Sequence, residues 1–120
     1  MRILVIDDET VFLNTLVTRL NIRGFEAHGC ADAHKGLAML ESQTFDVVLL
    51  DVSMPEMDGI EALEMIKKGW PALPVILLTG HASIDSAVKG KQMGAFDYLL
   101  KPFPIDDLTD RVEEAYKTKK

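Results

Sequence analysis

Two uninterrupted apolar runs, Val47-Val48-Leu49-Leu50 and Val75-Ile76-Leu77-Leu78, constrain this chain more than any other feature. Each is too short for a helix, and neither alternates with polar residues, so both predict strands buried on two faces. Such strands belong to parallel sheets covered by helices on each side. The remaining sequence supplies those helices. Arg2 to Ile6 predicts a first strand; Thr10 is placed to cap a helix with Phe12, Leu13, Leu16, Val17 and Leu20 at helical spacing, and Gly24 stops it. Phe25 to Cys30 reads as a weaker strand. Asp32 caps a second helix with Leu37, Met39 and Leu40 inward, ending near Ser42 to Thr44. Beyond the Val47 run, a helix from about Ile60 to Lys68 turns Leu63 and Ile66 to one face, until Gly69-Trp70-Pro71 breaks it. Ser83 is expected to cap a fourth helix closing at Gly94, Ala95 to Leu100 forms a fifth strand, and Pro104 starts a last helix through Tyr116. Strand and helix alternate five times. This predicts an α/β fold with right-handed crossovers and a binding site beyond the carboxyl ends of the strands. The pattern does not fix the strand order.

The length of 120 residues fits one domain, 1–120, with a core that needs no disulfide or structural metal. A net charge of −6 argues against nucleic-acid binding by this domain, since phosphate contacts need a basic face. The single cysteine, Cys30, has no internal partner and fits a reducing, cytoplasmic setting, where we expect it to pack as a small apolar side chain. No apolar run approaches the roughly 20 residues that span a bilayer, and Met1 to Ile6 runs too soon into acids for a signal peptide. We expect no membrane association.

Chemistry is concentrated at the strand ends. Asp7-Asp8 follows the first strand, Asp51 the third, Thr79 the fourth and Lys101 the fifth, and a parallel sheet gathers all of these on one edge. Two carboxylates about 4 Å apart repel by roughly 4 kcal/mol at an effective dielectric near 20, so three of them beside one lysine call for a cation. The candidate ligands are all oxygens, which suits Mg²⁺ better than Zn²⁺. A carboxylate on a metal with open positions can attack phosphorus to form an aspartyl phosphate, which makes Asp51 the candidate nucleophile. The three outer phosphoryl oxygens would then be matched by Mg²⁺, by the Lys101 ammonium, and by the Thr79 hydroxyl with nearby backbone N–H groups.

These residues, with Asp51-Val-Ser-Met-Pro-Glu-Met-Asp-Gly59, Leu78-Thr79-Gly80 and Lys101-Pro102-Phe103, resemble the receiver domain of two-component response regulators, most of all the nitrogen-regulatory and nitrogen-fixation type. The resemblance implies a flavodoxin-like (βα)5 fold with strand order 2-1-3-4-5 and phosphorylation of Asp51 by a sensor histidine kinase or phosphotransfer protein. It implies Mg²⁺ held through Asp8, Asp51 and the backbone carbonyl of Ser53, with Asp7 acting through water, and a cis Lys101-Pro102 bond. Thr79 and Tyr98 would form a switch pair. Ser53 and His81 would tune phosphoryl lifetime. The face of helix 4, strand 5 and helix 5 would carry the output or a homodimer contact.

A phosphohydrolase acting on external substrates is the competing enzyme reading. It needs a second acid/base carboxylate after the nucleophile and a cap domain, whereas Val52 and Ser53 follow Asp51 and no insertion is present. Self-catalysed phosphorylation and dephosphorylation, without conventional turnover, is the expectation. A phosphorylation-independent interaction module is the third reading, opposed by the complete set Asp8, Asp51, Thr79 and Lys101. His28 and His34 read as solvent-facing, and Gly59 as a backbone shape that other residues resist.

Overall fold

The computed structural model describes residues 1–53 and 59–118. The expectations for Met54 to Asp58 and for the last two lysines lie outside the described residues. Five strands, β1 (Arg2–Ile6), β2 (Glu26–Cys30), β3 (Val47–Asp51), β4 (Val75–Thr79) and β5 (Asp97–Leu100), form one parallel sheet of order β2-β1-β3-β4-β5. Between and after them run α1 (Thr10–Ile22), α2 (Ala33–Ser42), α3 (Gly59–Gly69), α4 (Ile84–Gln92) and α5 (Ile105–Lys117).

Alternation along each strand divides the core in two. Ile3, Val5, Val47, Leu49, Ile76 and Leu78 face α1 and α5, meeting Leu13, Leu16 and Leu20 on one helix and Leu108 and Val112 on the other. Leu4, Ile6, Val48, Leu50 and Leu77 face the opposite way, onto Leu40, Leu63, Ile66 and Ala87 of α2, α3 and α4. Every residue of β3 and β4 is buried, as continuously apolar central strands require, while the edge strands β2 and β5 are partly open. Burying one such side chain stabilises the fold by about 1.5–3 kcal/mol, so the two-sided core fixes the register firmly.

Helix termini show where local pattern and structure part. Asp32 caps α2 as expected, its carboxylate accepting from the Lys35 N–H at 3.0 Å, and Gly24, at φ +93°, closes α1 in the left-handed conformation that glycine tolerates. Thr10 does not cap α1. The cap position belongs to Glu9, whose extended backbone lets its carbonyl accept from Leu13 N–H at 2.8 Å. Ser83 makes no side-chain cap, because a 3-10 turn, His81–Ser83, feeds directly into α4 and leaves Ser83 outside the extended conformation. Pro104 sits at the cap of α5, one residue before the helix, with ψ of 140°.

Gly59 is needed for a different reason than expected. Its φ is not positive; instead a Cβ there would collide with the Val52 Cα and lie 2.9 Å from the Asp51 carbonyl oxygen. Since the obstruction is backbone at the end of β3, it cannot swing aside. Gly59→Ala is expected to destabilise the fold by about 1–3 kcal/mol in urea denaturation, the usual cost of overpacking.

Candidate functional site

Strand register assembles the site. Ile6 pairs with Leu50, so Asp7 and Asp51 emerge side by side, and Asp51 pairs with Leu78, which puts Thr79 one step beyond it. Thr79 pairs with Leu100, so Lys101 leaves β5 at the same edge, its N–H donating to the Thr79 carbonyl at 2.7 Å. The Lys101-Pro102 bond is cis.

Asp51 is fully buried. Its Oδ1 accepts from the Ser53 N–H at 3.0 Å and the Ser53 hydroxyl at 2.7 Å, while Oδ2 has no hydrogen-bond partner among the described residues. A buried carboxylate oxygen without a partner is expensive, and such an atom marks a place where a ligand belongs. Carboxylate oxygens of Asp7, Asp8 and Asp51 lie within 4.8 Å of one another, close enough to share one ion. The all-oxygen donor set and the orphaned Oδ2 fit a hard divalent cation.

Electrostatics bears the strain of the arrangement. Burial pushes the Asp7 carboxyl up to about 6, against the lowering effect of its hydrogen bonds to Lys101 and to the Glu9 N–H. Asp8 is raised too, by burial and then by the charge on Asp51. For Lys101 burial acts to lower the pKa, but hydrogen bonds to Asp7 and Glu9 outweigh it and hold the ammonium above its ordinary value.

Lys101, expected to meet a phosphoryl oxygen, is held by two carboxylates and an aromatic ring. Its Nζ donates to Asp7 Oδ2 at 2.7 Å and to Glu9 Oε1 at 3.0 Å, and stands 4.2 Å from the centre of the Phe12 ring. Glu9 has no role in the sequence pattern above, and Phe12 enters it only as an apolar position of the first helix. The signal for Glu9 was a third acid directly after Asp7-Asp8.

Thr79 is buried, with its hydroxyl turned to the Gly80 carbonyl at 2.9 Å. Tyr98, opposite Leu77 on β5, is half-buried against the α2–α4 side of the core. His81 is exposed on the 3-10 turn at the rim. His28, expected to face solvent, is half-exposed on β2; its Nε2 lies 2.8 Å from Glu26 Oε2, and its ring packs edge-on to Phe45. Burial raises the pKa of the Cys30 thiol, whose sulfur lies 3.6 Å from the Asp32 carbonyl, so it is a packed thiol rather than an activated one. Among the described residues, no helix is long and apolar enough to cross a membrane.

Comparison with known proteins agrees with this geometry. A family model described as "Response regulator receiver domain" matches residues 3–113. Regulatory protein AtoC of Escherichia coli is 41% identical over 114 residues, covering 95% of this chain and 25% of that protein. DNA-binding transcriptional regulator NtrC of Salmonella typhimurium is 43% identical over 111 residues, covering 92% of this chain and 24% of that protein. The chain thus spans about a quarter of the length of these curated relatives. A response regulator receiver domain protein from Clostridium thermocellum superposes with a TM-score of 0.94 at 38% identity, covering 98% of this chain and 95% of that one. A family model over residues 3–113 and relatives of this identity, on a sheet of this strand order, leave one conclusion: the chain belongs to the response regulator receiver domains of two-component systems, of the NtrC-like kind.

Proposed function

We propose that Asp51 is the phosphoacceptor of this switch, and that its buried Oδ2, without a hydrogen-bond partner among the described residues, is the observation that carries the assignment. In the transfer, a carboxylate oxygen of Asp51 forms a bond to phosphorus while the bond from phosphorus to the donor breaks. The donor is the phosphohistidine of a sensor kinase or phosphotransfer protein, or acetyl phosphate in the laboratory. Ser53 holds the other carboxylate oxygen through two hydrogen bonds, which orients the side chain. Mg²⁺ would be held by Asp7, Asp8, Asp51 and the Ser53 backbone carbonyl, and would supply positive charge to neutralise the incoming phosphoryl oxygens. Lys101 and Thr79 supply the remaining contacts, each after releasing its present partner. Phosphorylation makes the site about one charge more negative, and that change biases Thr79 and Tyr98 toward a second arrangement.

The output lies on α4, β5 and α5, where Ile84, Val88 and Tyr116 are exposed. That face serves a homodimer or an output domain; transcriptional control through DNA then belongs to the output and not to this acidic domain of 1–120. Ser53 and His81, at the rim, tune the lifetime of the mark. A cytoplasmic location suits these partners. The test is intact mass after treatment with acetyl phosphate. With Mg²⁺, one phosphoryl group per chain is expected, and with chelator, none; no gain of mass in either condition would overturn the proposal.

A further inference from the structure

We infer that Glu9 is a positioning residue that holds the Lys101 ammonium away from the phosphoryl position, and so sets how tightly this receiver grips a phosphoryl group. The inference rests on the reading of Asp51 as phosphoacceptor.

The ammonium of Lys101 has three N–H bonds. Two go to carboxylates, Asp7 Oδ2 at 2.7 Å and Glu9 Oε1 at 3.0 Å, and the charge is further held by the Phe12 ring at 4.2 Å. Asp51 Oδ2 receives no hydrogen bond from the described residues. The two holding carboxylates differ in kind. Asp7 belongs to the cluster with Asp8 and Asp51, so any cation in that cluster competes with Lys101 for it. Glu9 lies outside the cluster, and its carboxylate keeps its claim on Lys101 when the cluster is loaded. Helix capping does not compete for the Glu9 carboxylate either, since the residue stands at the cap position of α1 yet makes no side-chain capping bond there.

Apparent affinity falls in proportion to the fraction of protein in the competent state. A lysine that must leave Glu9 to meet a phosphoryl oxygen therefore weakens phosphoryl binding by the fraction of time it stays. The Glu9 side chain is 63% exposed, so solvent screens the pair and limits the effect to about twofold to fivefold.

The test is calorimetric titration of the full chain with beryllofluoride, a phosphoryl stand-in, at saturating Mg²⁺. Glu9→Gln is expected to bind it about twofold to fivefold more tightly than wild type. The gain should vanish when Glu9→Gln is added to Lys101→Ala, with the initial rate of labelling by acetyl phosphate as the measure where the adduct is too weak to titrate. Glu9→Ala, which removes the carboxylate altogether, should repeat the gain. Unchanged or weaker binding in both Glu9 variants, while wild type binds normally, overturns the inference alone. An equal gain in the Lys101→Ala background also overturns it, since the charge would then act on the phosphoryl group directly. Absence of binding and labelling in wild type overturns the phosphoacceptor reading and this inference together.

Discussion

Asp51→Asn is expected to cut phosphoryl incorporation from acetyl phosphate by about two orders of magnitude or more, because an amide is not a nucleophile toward phosphorus under these conditions. The same substitution is expected to stabilise the metal-free protein. Three carboxylates whose oxygens lie within 4.8 Å of one another repel by about 3 kcal/mol per pair at an effective dielectric near 20, and Asn removes one of them. Its remaining oxygen still accepts from Ser53, as Asp51 Oδ1 does now, and its new N–H groups face the acids that Asp51 repelled. A gain of about 1 kcal/mol or more in urea denaturation with chelator present should accompany the loss of labelling. Loss of function together with a gain in stability is what a site built against its own fold predicts. Full labelling of the variant would move the phosphoacceptor elsewhere; loss of labelling with a less stable fold would make Asp51 a structural residue.

The contrast between elements shows what the sequence could reveal. Val47 to Leu50 and Val75 to Leu78 announced a parallel sheet because burial on both faces leaves no room for polar alternation, and one regular strand period then carries Asp51 and Thr79 to a common edge. Gathering of residues by register was therefore legible. Pairing of side chains was not. Lys101 leans toward β1, where it meets Asp7, and the placement of Glu9 at the cap of α1, with Phe12 one turn later, adds a second carboxylate and a ring on that side. Helix starts were obscured for a similar reason: Thr10 and Ser83 have capping side chains, but the chain enters α1 and α4 with other residues in the cap geometry or through a 3-10 turn. Gly59 misled by its chemistry, since a glycine reports both unusual dihedrals and close approach, and only coordinates separate them.

The metal-free protein is expected to grow more stable as pH falls from about 7 to about 5, opposite to the usual behaviour of paired carboxylates. Asp7 is the cause. Its ordinary value is 3.8, and burial pushes it up to about 6 in the fold. Between those values the folded chain keeps a proton that the unfolded chain has released, so stability declines as pH rises through the window and is recovered as pH falls. Between pH 7 and pH 5 the part of that gap crossed corresponds to about 1 kcal/mol, the rest being recovered only as pH approaches 3.8. Asp8 is raised in the same direction, by burial and then by the charge on Asp51. Urea denaturation at pH 7 and pH 5 in chelator measures the effect, and Asp7→Asn should remove most of it. Mg²⁺ should reverse the trend, since the ion favours the ionised carboxylates that the empty fold penalises; its affinity is expected to fall as pH drops through about 6, proton and cation competing for the same oxygens. A pH slope that survives Asp7→Asn would assign the strain to other carboxylates. A Mg²⁺ affinity indifferent to pH across this window would detach cation binding from Asp7 altogether.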